Sequence, residues 1–401
     1  MLNDQEKQYF FKNRTLLAPL KIVAMDNCRE LGEKADKHIV ALRKQYLADH
    51  LEDDPTIASR DYDRDTYLVR TECPRFGSGE AKGMILESVR GCDLFIISDV
   101  TNSSMSFKIN GRTHYMSPDD HYQDLKRIVA TARSSAHRIS VIMPFLYQSR
   151  QHKRVHRESL DCAMALEELG SMGVENIITF DAHDPTVQNA IPLHDFDNYS
   201  PDYHFLKVLL QKLGEKNLVD TKLHRDDFLI VSPDEGSMKR GVFLANTVGV
   251  DLGMFYKRRD YTVIEDGVNP IVASEYLGPD PTGKTVLILD DIISTGFNIL
   301  EAAKEMRRKN AACIIICCTF GLFVTGFEKY IKAHDEGIFD YMVTTNLNYR
   351  APIVLEQPWY FEADLSGYVG KIINTMNHNI AVSTVVSPIG LLQDLVKKAE
   401  G

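Results

Sequence analysis

Residues 285–300, with the sequence TVLILDDIISTGFNIL, constrain the fold more than any other part of this chain. The apolar run 286–289 has the length and composition of a buried parallel strand. Two adjacent carboxylates, Asp290 and Asp291, end the run, and a turn of small residues follows at 294–296. A helical pattern comes after the turn. This order of strand, acid pair, turn and helix predicts an α/β domain in which a strand leads through a ligand-binding turn into a helix.

The same order of residues favours a binding site for a sugar phosphate. Backbone N–H groups and hydroxyls of the turn Ser294, Thr295 and Gly296 are suited to bind a phosphate at the N-terminus of the helix. The paired carboxylates are suited to accept hydrogen bonds from two neighbouring sugar hydroxyls. An isolated Asp-Asp pair would fit a solvated strand-to-helix turn equally well, so the complete order, rather than the pair, supports this interpretation.

Composition narrows the classes of function. A chain of 401 residues is long for one hydrophobic core, so we expect two domains. The net charge of −10 argues against a general nucleic-acid-binding protein, and no apolar run reaches the roughly 18–20 residues of a membrane span. The seven cysteines are scattered and lack paired zinc-type spacing, so we expect buried, reduced thiols and a cytoplasmic location.

Short apolar runs alternate with helical patterns along the chain, which predicts parallel sheets covered by helices on both faces. Ligands bind at the carboxyl ends of the strands in such sheets. A polar stretch at 195–202 is the expected linker between two halves, and a polar insert at 101–121 interrupts the first half, with Ser117 as a helix N-cap. The predicted strands are 21–25, 94–97, 141–143, 177–180, 228–231, 286–289 and 314–317, and the predicted helices are 30–43, 122–133, 159–169, 203–213, 239–247 and 298–308.

The stretch around Asp290 resembles the phosphoribosyl diphosphate (PRPP) signature of the type I phosphoribosyltransferase fold. Taken with four other segments, it resembles the ribose-phosphate diphosphokinase family, whose members synthesise PRPP. The resemblance extends from about residue 21 to the C-terminus, and the segments occur in the family's order. They are 76–80 (FGSGE) with 87–93 (ESVRGCD), 150–151 (RQ), 181–183 (DAH), 231–236 (VSPDEG) with 257–259 (KRR), and 285–300.

The resemblance implies an α/β fold of two tandem type I phosphoribosyltransferase-like domains, each with a mainly parallel sheet flanked by helices. The N-terminal domain, 1–198, would supply the ATP side of the active site. The C-terminal domain, 199–401, would supply the ribose-phosphate side and a catalytic loop. The implied reaction is attack of the anomeric hydroxyl of ribose 5-phosphate on the β-phosphorus of ATP, which gives PRPP and AMP. Such a transfer depends on alignment and charge neutralisation.

The resemblance also implies which residues form the site. Basic residues that precede the polar segment 260–270 are expected to reach the transferring phosphates from a closing loop. In the family an aromatic ring stacks on adenine, an acid accepts from its amino group, and magnesium is held partly through water. The implied residues are Lys257 and Arg259 for catalysis; Asp290, Asp291, Ser294, Thr295, Gly296 and Asn298 for ribose phosphate; Phe76, Glu80, Arg150 and Gln151 for ATP; and His183 and Asp234 for Mg²⁺.

Several departures from the family pattern affect the expected site, among them Ser294, which stands where an Asp is usual. Phe297 stands where a second turn glycine is common, and Phe is disfavoured at positive φ and bulky enough to obstruct a phosphate. Asn298 replaces a threonine and is expected to cap the helix. Ser78 replaces an acidic or amide residue that helps to read adenine, which puts a strict preference for ATP in doubt. His152 replaces an acid.

Two other functions remain open from the sequence. A regulatory subunit that keeps the fold without catalysis is favoured by Phe297 and Ser78, although joint retention of the basic and acidic site residues argues against it. A nucleobase phosphoribosyltransferase fits the order of 290–296 but lacks the N-terminal half. The expected ligands are ATP and ribose 5-phosphate, the expected assembly is a homo-oligomer (a dimer or hexamer), and no nucleic-acid or membrane partner is expected.

Overall fold

The computed structural model describes residues 16–52, 61–154, 157–215, 225–259, 271–384, 390, 392 and 395. The strands in chain order are β1 (Leu20–Ala24), β2 (Thr71–Glu72), β3 (Met84–Ile85), β4 (Asp93–Ile97), β5 (Ser106–Ile109), β6 (Arg112–Tyr115), β7 (Arg138–Ile142), β8 (Asn176–Phe180), β9 (Asp195–Tyr199), β10 (Phe228–Ser232), β11 (Asp251–Arg259), β12 (Ile271–Leu277), β13 (Thr285–Ile293), β14 (Cys313–Gly321), β15 (Tyr341–Thr345) and β16 (Tyr360–Ala363). The α-helices are α1 (Arg29–His50), α2 (Pro118–Ala132), α3 (Asp161–Ser171), α4 (Asp202–Glu215), α5 (Met238–Val248), α6 (Phe297–Arg308), α7 (Glu328–Asp335), α8 (Pro352–Leu355) and α9 (Ser366–Asn377).

The chain divides into two compact units. Unit 1 comprises Met1–Ser200, Asn346–Tyr349 and Asp364–Ser387, and unit 2 comprises Pro201–Thr345, Arg350–Ala363 and Pro388–Gly401. The division near residue 200 lies close to the predicted boundary at 198/199. The C-terminal part of the chain was expected to belong to the second domain alone, but two of its segments pack with unit 1.

Unit 1 is built on a parallel sheet in the order β1-β4-β7-β8-β9. Every residue of β4 and β8 is buried, as expected of strands covered on both faces. Helix α9 packs on α1, where Gly370 allows close approach because a Cβ there would lie 3.0 Å from the backbone oxygen of Ala35. A helix from the far end of the chain therefore completes the cover of the first sheet.

A buried arginine joins α1 to α9. The Arg43 guanidinium is fully buried and donates to the side-chain oxygens of Asn374 at 2.8 Å and Asn377 at 2.7 Å. Its Cζ lies 4.7 Å from the ring centroid of Tyr67 and 5.4 Å from that of Tyr62. Amide oxygens and aromatic faces, rather than a carboxylate, thus solvate this charge.

Unit 2 is built on a larger sheet in the order β12-β11-β10-β13-β14-β15-β16. All of its pairs are parallel except β11 with β12, which form an antiparallel pair. Helix α6 buries Ile299, Ala303 and Met306, whose spacing places them on one helical face against the sheet. This packing fixes the start of α6 relative to the end of β13.

The structure confirms the thirteen predicted strands and helices, and it corrects two expectations. Residues 195–199 of the expected linker form β9, the edge strand of the first sheet. The polar insert contains the hairpin β5–β6 before α2, and Ser117 caps α2 as predicted, accepting from the Asp120 N–H at 3.2 Å. Residues 257–259 lie at the end of β11 rather than in a loop; their side chains and the segment 260–270 lie outside the described part.

No helix in the described part of the chain is both long and apolar enough to cross a membrane.

We predict that Arg43→Met lowers the free energy of unfolding by about 2–4 kcal/mol, since each buried acceptor left without its donor costs about 1–3 kcal/mol. Urea unfolding monitored by circular dichroism measures this loss. Lys44→Met is the matched control on the same helix, because its ion pair with Asp65 is exposed and contributes little. Equal effects of the two substitutions would show that the Arg43 contacts do not stabilise unit 1.

Candidate active site

The acidic residues predicted from the sequence meet at the centre of the unit 2 sheet. From β10 the chain proceeds to β11 on one side, whereas β13 lies on the other side. The gap between the carboxyl ends of β10 and β13 is therefore a topological switch point, where ligands bind in open α/β sheets. Asp234 follows β10, and Asp290 and Asp291 lie on β13.

The acid pair lies within a strand rather than after one. Strand β13 was expected to end at 289, but it continues to Ile293 because its pairing with β14 extends from Thr285 to Ile293. Asp291 is buried and its N–H donates to the Asp290 carboxylate at 3.0 Å. The extra strand length fixes the backbone of both acids.

Burial, together with repulsion among the acids, raises the pKa of Asp290. Burial raises the pKa of the Asp290 carboxyl well above its ordinary value, and the neighbouring charges of Asp291 and Asp234 raise it further. Arg240 acts in the opposite direction. Three carboxylates at one switch point form a site suited to cations and to sugar hydroxyls.

The Asp234 carboxylate lies next to the predicted phosphate turn. Its Oδ1 accepts from the backbone N–H groups of Gly236 at 3.0 Å and Ser237 at 3.2 Å. Its Oδ2 lies 3.5 Å from the donating Nδ2 of Asn298, the second residue of α6. The first carboxylate oxygen is thus held by the backbone, and the second faces the start of α6.

The turn keeps a left-handed glycine at 296, although Phe297 stands where a second glycine is common in the family. Gly296 is the N-cap of α6 with φ +70° and ψ +5°, the left-handed region that glycine occupies without strain. Phe297 is the first helical residue and is 64% exposed, so the expected strain at positive φ does not arise. Asn298 does not cap the helix as expected, because Gly296 is the N-cap and Asn298 is already the second residue of the helix.

In unit 1 the predicted adenine-binding residues share a tight turn. The Phe76 N–H donates to the Glu80 carbonyl at 2.7 Å, and the Ser78 hydroxyl donates to Glu80 Oε2 at 2.9 Å. The Phe76 ring is 53% exposed. Ser78 therefore orients the Glu80 carboxylate, which an acid at position 78 would repel.

The polar insert packs against this turn. A Cβ on Gly79 would lie 2.7 Å from Ile109 of β5, and the Arg75 guanidinium lies 4.7 Å from the Phe107 ring centroid. Arg75 also pairs with the Asp124 carboxylate at 2.7 Å. The hairpin thus supports the Phe76–Glu80 turn from the side of α2.

The remaining predicted nucleotide and metal residues follow neighbouring strands of unit 1. Arg150 is exposed after β7, and the Gln151 amide donates to the Ser159 carbonyl at 2.9 Å. The ring of His152 lies 5.4 Å from the ring of His183, which is exposed after β8. The loops that contain Arg150 and His183 are therefore adjacent.

Comparison with known proteins identifies the family. The model for the N-terminal domain of ribose phosphate pyrophosphokinase matches residues 20–173, and the phosphoribosyl transferase domain model matches 211–346. The chain belongs to the ribose-phosphate pyrophosphokinase family. The expected α/β fold with phosphoribosyltransferase-type domains is thereby confirmed.

Individual relatives agree with this assignment. A ribose-phosphate pyrophosphokinase from Parasynechococcus marenigrum is 29% identical over 78% of this chain and 85% of its own length. One from Thermosipho africanus is 28% identical over 79% of this chain and 90% of its own. The crystal structure of phosphoribosylpyrophosphate synthetase from Mycobacterium smegmatis aligns with a TM-score of 0.67 at 21% identity, covering 90% of this chain and 99% of that one, which shows the shared fold.

Metal ions take part in the chemistry of this family. Among the described residues, no group of three or more His, Cys, Asp or Glu side chains is arranged to hold a metal by itself. A hard cation such as Mg²⁺ does not need such a group, because it usually binds one or two carboxylates together with water and substrate phosphates. The acids at the switch point fit that requirement.

The sequence did not indicate several residues that shape the site. Arg240 on α5 offsets the acid cluster, and Lys329 and Tyr330 on α7 lie against the predicted phosphate turn from about thirty residues downstream. Their positions depend on tertiary packing, so no local motif marks them.

We predict that Asp290→Asn raises the melting temperature at pH 8 and that this gain shrinks as the pH falls towards about 4, the ordinary Asp pKa. A carboxyl whose folded-state pKa is raised binds its proton more tightly in the folded state, so the stability of the natural protein falls as pH rises through that pKa. Thermal unfolding in a chelator over this pH range is the measurement. The exposed Asp335→Asn is the control, and a pH-independent difference for Asp290→Asn would contradict the raised pKa of the Asp290 carboxyl.

Proposed function

We propose that this protein transfers the β,γ-diphosphoryl group of ATP to the anomeric hydroxyl of ribose 5-phosphate, forming PRPP and AMP. In this step the bond between the anomeric oxygen and the β-phosphorus forms, the bond between the β-phosphorus and the α,β-bridging oxygen breaks, and the hydroxyl proton is released. The observation that supports the proposal best is the combination, in a member of this family, of the acid pair with an unstrained glycine turn at the unit 2 switch point.

The sugar-phosphate residues are proposed to act through hydrogen bonds. The carboxylates of Asp290 and Asp291 accept hydrogen bonds from the ribose hydroxyls, and strand β13 holds the backbone of both residues in place for this role. The turn Ser294–Gly296 and the start of α6 bind the 5-phosphate through N–H groups and hydroxyls. Asn298 lies between this turn and Asp234, so it links phosphate binding to the acid cluster.

The nucleotide residues are proposed to read adenine and to bind phosphates. Phe76 offers an exposed ring for stacking on adenine. One oxygen of the Glu80 carboxylate accepts from the adenine amino group, while the Ser78 hydroxyl donates to the other oxygen, Oε2, and holds the carboxylate in place. Arg150 and Gln151 bind the triphosphate, for which a guanidinium is well suited. This arrangement favours adenine over a base with a carbonyl at the same position.

The cofactor is proposed to be Mg²⁺, held by Asp234 and His183 together with water and substrate oxygens. When bound, it would neutralise charge on the phosphates. Asp234 fits a hard cation through its carboxylate. His183 is a less usual ligand for magnesium, and we assign it a bond through water.

The structure gives little support to a regulatory subunit, because the Phe297 ring is exposed and the glycine of the turn keeps its left-handed conformation. A nucleobase phosphoribosyltransferase is disfavoured by the match of residues 20–173 to the pyrophosphokinase N-terminal domain. We further infer a cytoplasmic homo-oligomer, a dimer or hexamer. The seven cysteines are free thiols, which suits a reducing compartment.

We predict that purified protein with ATP, ribose 5-phosphate and magnesium forms AMP and PRPP in equal amounts. With ATP labelled at the β-phosphorus the label enters PRPP, and with ATP labelled at the α-phosphorus it stays in AMP. Omission of ribose 5-phosphate is the control. Absence of AMP above that control, over a range of magnesium and phosphate concentrations, would favour the regulatory alternative.

We predict that Lys257→Ala and Arg259→Ala each lower kcat by about 10²–10³-fold with KM values changed only slightly, the pattern of groups that act in the transition state. Steady-state kinetics for both substrates separates the two constants. Arg258→Ala is the matched control between them and is expected to stay within a few-fold of the natural protein. A kcat close to that of the natural protein for both Lys257→Ala and Arg259→Ala would show that these residues have no catalytic role.

A further inference from the structure

The phosphate turn of unit 2 is supported on one side by the segment 322–330, which we call the support segment. The N–H groups of Leu322 and Phe323 donate to the Ile293 carbonyl at 2.9 and 3.1 Å. The Val324 N–H donates to the Ser294 carbonyl at 3.1 Å. The end of β13 and the first residue of the turn are therefore bonded to this segment through their carbonyl groups.

Lys329 extends this support into the turn. Its ammonium donates to the Thr295 carbonyl and, at 2.5 Å, to the Thr325 hydroxyl. Burial lowers the pKa of the Lys329 ammonium. In contrast, Lys332 on the same helix is 76% exposed and pairs only at 3.7 Å with Glu336.

These bonds determine where the N–H groups of the turn point. In a trans peptide the C=O and N–H point in opposite directions. With the carbonyls of Ser294 and Thr295 held by the support segment, the N–H groups of Thr295 and Gly296 point away from it. Two successive N–H groups on one side form the concave donor arrangement that binds anions.

Tyr330 packs against the turn at Gly296. It is fully buried, and a Cβ on Gly296 would overlap its hydroxyl group. Its ring also packs 5.0 Å from that of Phe323, within the same segment. The glycine at 296 is thus required by the close approach of Tyr330 as well as by its φ of +70°.

We propose that Lys329 is a positioning residue for the 5-phosphate of ribose 5-phosphate. By holding the Thr295 carbonyl it directs the Gly296 N–H toward the phosphate, and its charge polarises the same peptide so that this N–H becomes a stronger donor. This inference rests on the proposed function, in which the turn binds the sugar phosphate. Lys329 itself does not touch the substrate.

The test compares Lys329→Met with Lys332→Met, its control on the same helix. Lys329→Met is expected to raise the KM for ribose 5-phosphate about tenfold or more, with kcat and the KM for ATP within about twofold. Lys332→Met is expected to change none of these constants, and Lys329→Arg is expected to restore most of the affinity. Thermal unfolding of each variant checks that the fold survives.

Calorimetric titration with ribose 5-phosphate alone keeps this inference separate from the proposed reaction. Weaker binding to Lys329→Met but not to Lys332→Met supports the inference even if the natural protein forms no PRPP. Equal KM and equal binding for the two variants, in a protein that does form PRPP, would overturn the inference and leave the proposed function intact. If Lys329→Met fails to fold, Thr325→Ala decides it: loss of the hydroxyl that holds the Lys329 ammonium is expected to weaken binding of ribose 5-phosphate, and unchanged binding would overturn the inference.

Discussion

The left-handed backbone of Gly296 is the constraint on which the geometry of the candidate site depends. It turns the chain, which leaves β13 at Ile293, into α6, which begins at the next residue, and the Tyr330 hydroxyl beneath it leaves no room for a side chain. Because of that sharp change of direction, the N-terminus of α6 opens at the carboxyl edge of the sheet. Phe297 can then begin the helix with its ring in solvent, which explains why the turn tolerates a residue expected to disrupt it.

The second determinant of the site is concentrated negative charge. Asp234 follows β10, Asp290 and Asp291 lie within the adjacent strand β13, and burial with mutual repulsion raises the pKa of Asp290. Such a cluster is costly for folding, so it is balanced by Arg240 and by the backbone donors around Asp234. A substrate with hydroxyl donors, together with a cation, would complete this balance. An unpartnered phosphate would instead be repelled by the acids and must bind on the N–H side of the turn.

The sequence predicted the elements that local pattern determines and missed those that tertiary contact determines. Apolar runs such as 228–231 and 286–289 located buried strands, and the Asp290–Gly296 order located the site, since both signals are local. The extension of β13 to Ile293 depends on pairing with β14, and β9 is too polar to be recognised as an edge strand. Lys329 and Tyr330 lie beside the turn only because α7 packs there. The helix α9 joins unit 1 through Arg43, a contact across more than 300 residues of chain.

The most direct test of the central claim is the amide signal of Gly296 in deuterated protein labelled with ¹⁵N, assigned through its sequential connection to Thr295. If the turn binds the sugar phosphate, ribose 5-phosphate shifts the Gly296 N–H strongly downfield, as a charge-assisted hydrogen bond to phosphate requires. Ribose without the phosphate then leaves it unchanged. A Gly296 amide that does not move at saturating ribose 5-phosphate, while other glycine signals do, would place the phosphate elsewhere and contradict this account of the site.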